Sequence, residues 1–280
     1  MKTELHPLIE ASDLEALSGN SDLIIAEAGS GSPAKEAHAH KHIAGAIYVD
    51  LNEDLSDIKE DAKDGGRHHL PSEAAFGKTL GTLGITPDSH VVIYDDKGGA
   101  NAAARFWWML RSIGHEKVQV LNGGLQSAER QGLPVNDGRV AIKAVQAYPA
   151  SDWQWPTSNL DEVERSCINR HSVIIDVREA YRYKGESEPI DLVAGHIPGA
   201  VNIPLQENLD KNGLFLSPSL LRKKYGAILD EYDATIHCGS GVTACHTILA
   251  LASAGFKIPK LYVGSWSEWS RNDKPIGKEI

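Results

Sequence analysis

The chain has 280 residues and a formal net charge of −10 at pH 7. With 41% hydrophobic and 24% charged residues, its make-up is that of a folded globular protein. The acidity argues against nucleic acid or an anionic membrane as partner. The three cysteines, Cys167, Cys238 and Cys245, are too few for a disulfide framework.

No CxxC pair is present, so neither a zinc site nor a thioredoxin-like dithiol is expected, and no metal is called for. The first twelve residues carry charges without an apolar run of signal-peptide type, and no stretch reaches membrane-spanning length. A soluble, reducing, cytoplasmic setting is the expectation.

In chain order, a polar helix-like stretch leads to a strand at 23–26. His38, His40 and His42 alternate in a segment read as an exposed loop. A metal there has no supporting carboxylate or cysteine cluster. A turn and a strand follow over 42–50. Residues 52–71 are polar and rich in Gly and Asp, a long loop that ends in Gly65-Gly66-Arg67-His68-His69-Leu70-Pro71. The pattern then predicts a helix over 72–84, a buried strand over 91–94, a helix over 100–113 and a strand over 118–121. Strands alternating with helices point to a parallel α/β sheet.

The pattern repeats. His196-Ile197-Pro198-Gly199-Ala200-Val201 repeats His42-Ile43-Ala44-Gly45-Ala46-Ile47 at an offset of 196 − 42 = 154 residues. The runs at 172–176, 235–237 and 261–266 likewise match those at 22–26, 92–94 and 120–125. A repeat this long is a duplicated domain rather than a solenoid unit. The expected organisation is a first domain over 1–145, a linker over 146–160 and a second domain over 161–280.

The stretch with the clearest chemistry is Thr235-Ile236-His237-Cys238-Gly239-Ser240-Gly241-Val242-Thr243-Ala244. A strand delivers a cysteine into a loop with two glycines, and an apolar run at helical spacing follows, closed by Gly255. Backbone N–H groups of such a loop and of the helix start converge on the cysteine. They favour a negative charge there and hence a reactive thiolate. Cys245 reads as a helical residue facing the core.

The loop Cys238-Gly239-Ser240-Gly241-Val242-Thr243 resembles the active-site loop of the rhodanese superfamily, in the form carried by 3-mercaptopyruvate sulfurtransferases. Thiosulfate-type loops have Arg and Lys where this chain has Gly239 and Ser240. The resemblance extends over nearly the whole chain. It implies tandem rhodanese-like domains, each a parallel sheet flanked by helices. The first is expected to be inactive, because Asp95 stands where the second has Cys238 and a carboxylate is no sulfur nucleophile.

The resemblance further implies a cysteine persulfide on Cys238, held with the donor by N–H groups of Gly239, Gly241, Val242 and Thr243 and needing no cofactor. Arg182 matches the family's donor-binding arginine, while Arg178 resembles a structural partner of a neighbouring acid. Ser240 and His68 match a proton-handling pair, with His69 the alternative if the loop is shifted by one. The third member is open: Asn52 stands where an aspartate is expected, and Glu53 or Asp54 could substitute. One departure concerns Glu188-Pro189-Ile190, where mercaptopyruvate enzymes carry a second arginine and this chain has Ile190.

The expected activity is sulfur transfer from a small anionic donor, 3-mercaptopyruvate, to cyanide or a thiol, thioredoxin among them. The alternatives are a thiosulfate:cyanide sulfurtransferase and a persulfide carrier for one partner protein. A phosphatase of the same fold would need an arginine where Ala244 stands. A non-catalytic module fits the first domain better than the second.

Overall fold

The computed structural model describes residues 5–279. They form two compact units: one of 5–56, 71–154 and 211–214, the other of 57–70, 155–210 and 215–279. The loop before Pro71 thus belongs with the second half of the chain. Among the described residues no helix is long and apolar enough to cross a membrane.

The first unit is built on a five-stranded sheet in the order Leu8–Ile9, Val118–Leu121, His90–Tyr94, Leu23–Gly29, Ile47–Asp50, with every pairing parallel. Its middle strand reads Val-Val-Ile-Tyr over 91–94, and its neighbour opens Leu-Ile-Ile-Ala over 23–26, continuous apolar runs rather than alternating ones, as expected of strands covered on both faces. Val91, Val92, Ile93, Val120 and Leu121 are all buried.

The helix Ala102–Ser112 carries Phe106, Trp107 and Trp108 and is buried nearly all round. The helix Glu73–Thr82 is capped by Ser72, whose side chain accepts from the Ala75 N–H. Gly77 and Gly81 on that helix let the 145–148 strap lie directly on its backbone. A Cβ at either would sit 2.6–2.7 Å from a strap carbonyl.

The histidine-rich segment is not an exposed loop. It forms the helix Gly31–His40 and the short strand His42–Ile43. His38 and His42 are buried and stacked, and His38 Nδ1 lies 2.7 Å from a Glu27 carboxylate oxygen. A buried carboxylate thus accounts for His38. Among the described residues no group of three or more His, Cys, Asp or Glu is placed to hold a metal ion.

The second unit repeats the arrangement in the order Val201–Asn202, Ser172–Asp176, Asp233–His237, Lys260–Tyr262, Thr157–Ser158, again all parallel. Gly45 and Gly199 stand at the same place in the two copies with φ near +80°, a conformation that suits glycine. The helix Leu160–Ser166 starts with a reciprocal capping box between Asn159 and Glu162. It packs with Ile174, Ile197, Tyr262, Trp266 and Trp269 into this unit's core. Both indoles also find acceptors for their N–H groups, Val193 O for Trp266 and Pro275 O for Trp269.

Candidate active site

Strand Asp233–His237 ends at Cys238, and helix Ala244–Ser253 starts six residues later. The intervening loop is pinned from below by the turn after strand Lys260–Tyr262. The Cys238 N–H donates to Ser265 Oγ, the Cys238 carbonyl accepts from the Trp266 N–H, and the Gly239 carbonyl accepts from the Ser267 N–H. Gly241 has φ of 74°, and a Cβ there would come within 2.4 Å of the Val263 carbonyl. Glycine is therefore the residue that allows the loop to close. Cys238 is 1% exposed and Val242 4%, while Thr243 is the N-cap of the helix.

The other thiols have structural surroundings. Cys245 lies inside the buried helix, with Sγ 3.4 Å from the Gly241 carbonyl. Burial pushes the Cys167 thiol up. His246 next door is pushed down to about 3 by burial and is neutral at physiological pH.

Beside Gly239 lies a chain of buried ion pairs. Arg178 reaches Asp176, Glu188 and the Gly195 carbonyl, and its guanidinium covers the Trp266 ring at 4.5 Å. This is the structural role expected of it. Arg182 Nη2 lies 2.8 Å from Glu188 Oε1 and 3.5 Å from Asp191 Oδ2. Burial acts to lower the Arg182 pKa, but hydrogen bonding and charge from Glu188, with Glu179 and Asp191, outweigh it and raise it. The guanidinium is thus firmly cationic. Burial would raise Glu188, and its bond with Arg182 overrides that and holds it below the usual carboxylate range.

Asp191 also receives Arg67 Nε at 3.0 Å and Arg271 Nη1 at 3.3 Å, and its carboxylate is fully buried. A Cβ built on Gly239 would lie 3.2 Å from Arg67 Nη2, 3.4 Å from Arg182 Nη2 and 3.4 Å from Asp191 Oδ2. Two guanidinium groups therefore border the residue that follows Cys238.

Ser240 meets a histidine: His68 Nδ1 lies 2.8 Å from Ser240 Oγ. His69 instead turns its Nδ1 to the Leu70 carbonyl at 2.7 Å, so the loop is in the register that presents His68. The three residues weighed as a third member have bonds of their own. Asn52 Nδ2 reaches Ser30 Oγ, Glu53 pairs with Lys35, and Asp54 accepts the Asp50 N–H.

The equivalent loop of the first unit shows what this backbone does with an anion. Asp95 is fully buried. Its Oδ1 accepts from the Lys97 and Gly99 N–H groups at 2.9 and 2.7 Å, and its Oδ2 from those of Asn101 and Ala103 at 2.9 and 3.3 Å. Burial pushes this carboxyl up, and the four donors oppose it. The loop wraps around its own side chain, a nest for negative charge already filled from within.

Ser265 has φ of 52°, unfavourable for a residue with a Cβ, and its counterpart in the first unit is Gly124 with φ of 58°. Its hydroxyl donates to the Tyr262 carbonyl and accepts the buried Cys238 N–H. Ser265→Ala keeps the strained backbone and orphans that N–H, so it is expected to cost about 1–3 kcal/mol in denaturant unfolding. Ser265→Gly is expected to cost less, because glycine takes that φ without steric penalty. Equal stability of wild type and the alanine variant would remove this role.

No local sequence pattern marks Asp191, Arg271 or Ser265, whose partners lie far away in the chain. Arg67 had one available signal, its place immediately before His68.

A family model described as Rhodanese-like domain matches residues 10–131 and 159–272. The chain is 38% identical over 275 residues to a probable 3-mercaptopyruvate sulfurtransferase of Pseudomonas aeruginosa, with 94% of each chain covered. It is 34% identical to a thiosulfate sulfurtransferase of Rattus norvegicus, covering 86% of this chain and 82% of that one. Among solved structures, 3-mercaptopyruvate sulfurtransferase from Leishmania major superposes with a TM-score of 0.80 at 28% identity, covering 96% of this chain and 76% of that one.

Proposed function

This chain belongs to the rhodanese family and is a sulfurtransferase, and we propose that it carries sulfur from 3-mercaptopyruvate to cyanide or a thiol as a persulfide on Cys238. The observation that carries this reading is the pairing at the loop: Gly239 borders Arg182, and Ser240 meets His68.

In the first half-reaction the Cys238 thiolate attacks the mercapto sulfur. A sulfur–sulfur bond forms, and the carbon–sulfur bond breaks with its electron pair left on carbon as the enolate of pyruvate. The mercapto proton passes to that carbon through Ser240 Oγ and His68 Nδ1, which leaves pyruvate and an anionic persulfide. In the second half-reaction cyanide takes the outer sulfur as thiocyanate and the thiolate returns; a thiol acceptor leaves as its own persulfide. Two half-reactions of this kind give ping-pong kinetics.

Arg182 holds the donor's carboxylate as a guanidinium fork. The loop N–H groups from Gly239 to Thr243 stabilise both thiolate and persulfide, as the Asp95 nest does for its carboxylate in the other unit. The first unit carries no sulfur in this reading.

The test is kcat/KM for 3-mercaptopyruvate and thiosulfate side by side, with cyanide as acceptor. The expected result is a preference for 3-mercaptopyruvate of about tenfold or more, about 1.4 kcal/mol of transition-state binding. A preference for thiosulfate would overturn the choice of donor. Turnover of neither would leave a persulfide carrier for a partner protein.

A further inference from the structure

We propose that Arg67 is a second anion-binding residue of this site, which together with Arg182 takes the charged group of the sulfur donor. The inference rests on the reading of Cys238 as the sulfur nucleophile.

The loop that could offer a cation from the Arg182 side does not. Ile190 is apolar and 55% exposed, and its neighbours Glu188 and Asp191 are both consumed by arginines. The cation comes from the opposite direction in the chain. Arg67 sits next to His68, so consecutive residues address consecutive loop positions. Arg67 Nη2 borders Gly239, and His68 Nδ1 faces Ser240.

Arg67 is also fixed in place. Its backbone N–H donates to Ser267 Oγ, and its Nε and Nη2 lie 3.0 and 3.4 Å from the two Asp191 oxygens. Those contacts leave Nη1 and the second N–H of Nη2, and the side chain is 27% exposed where that of Arg182 is 8% exposed. Of the two guanidinium groups bordering Gly239, Arg67 has the more open edge. A guanidinium edge with two donors suits a planar carboxylate.

The experiment uses the full chain and two readouts. The first is KM and kcat for 3-mercaptopyruvate and for thiosulfate in wild type, Arg67→Met and Arg67→Lys. The second is the ratio of Cys238 alkylation rates by iodoacetate and iodoacetamide, two reagents of similar size of which one carries a carboxylate. In Arg67→Met the expected result is a rise of about 10- to 100-fold in the KM of the preferred donor with kcat little changed, and a fall of similar size in the iodoacetate-to-iodoacetamide ratio, the size expected for a charge-assisted bond.

Arg67→Lys keeps the charge and loses the fork, so an intermediate effect is expected. The donor whose KM moves more is the one whose anion Arg67 takes, carboxylate or sulfonate. Unchanged KM and an unchanged ratio overturn the inference. Should the methionine variant unfold, the lysine variant decides: a several-fold rise in KM supports the role, and wild-type KM with a wild-type ratio overturns it. Failure of the underlying reading looks different. Cys238→Ser would retain transfer whatever stands at position 67, and the inference would fall with it.

Discussion

Cys238→Ser is expected to abolish sulfur transfer with both donors while leaving the fold in place. A serine hydroxyl differs from the thiol by one atom, and the loop is held by backbone bonds that the change does not touch: Cys238 N–H to Ser265, Trp266 N–H to the Cys238 carbonyl, Ser267 N–H to the Gly239 carbonyl. A hydroxyl can also use the polar loop around it, so the loss of stability should stay below about 2 kcal/mol. Chemistry is another matter, because a hydroxyl at this place is neither ionised at neutral pH nor able to hold a second sulfur. The remaining thiols cannot take over. Cys245 lies in the buried helix, and burial raises Cys167. Mass spectrometry after a donor pulse should find added sulfur on Cys238 of wild type and on no cysteine of the variant. Turnover in the variant above roughly one hundredth of wild type, equivalent to a transition-state loss of only about 2.7 kcal/mol, would show that another group carries the sulfur.

Much of this architecture was legible in the chain. The strand at His90–Tyr94 was marked by an unbroken apolar run from Val91 to Tyr94, the signature of a strand covered on both faces. The duplication was visible as a 154-residue offset, and its physical content is the shared sheet order and the paired positive-φ glycines Gly45 and Gly199. The edge strands Leu8–Ile9 and Thr157–Ser158 were not legible, because two residues cannot display a period. The burial of His38 is hidden from the sequence for a related reason. The helix Gly31–His40 has no strong apolar stripe, and the acid that draws His38 inward, Glu27, lies on another element. The site divides along the same line. Cys238, its glycines and Arg182 sit within short motifs. The Arg67–Asp191 pair joins positions 124 apart, and no local pattern says which of several acids near Arg182 receives which arginine.

The two central loops also carry an argument about how one backbone came to differ in its chemistry. Both follow the middle strand of a parallel sheet and open a buried helix. In the first unit the loop has seven residues before the helix and closes on its own Asp95 carboxylate with four N–H donors. In the second it has six, and the turn below supplies Ser265 to fix the cysteine's N–H from outside the loop. Asp95 therefore does more than lack a sulfur: it fills the nest that a persulfide would require.

Asp191→Asn is expected to cost the fold more than Cys238→Ser does. Asp191 carries one negative charge shared by Arg67, Arg182 and Arg271, with its carboxylate fully buried. The amide has nearly the same shape, so the cost is electrostatic rather than steric. Breaking a buried pair leaves an uncompensated charge, and the expected loss is about 3 kcal/mol. That is the low end for such pairs, because Arg67 and Arg271 each keep about a quarter of their side chains in water while Arg182 retains Glu188. The functional loss should appear in donor binding. With Asp191 neutral, Arg67 and Arg182 lose the anchor that sets them beside Gly239, so KM rises and kcat changes less. A double-mutant cycle with Arg67→Met separates positioning from bulk stability. If Asp191 acts through Arg67, adding Asp191→Asn to Arg67→Met raises KM less than it does in wild type, with a coupling of about 0.5–3 kcal/mol. Strict additivity in KM would show that Asp191 only holds the fold, and a variant with wild-type stability and KM would show that the three arginines do not depend on it.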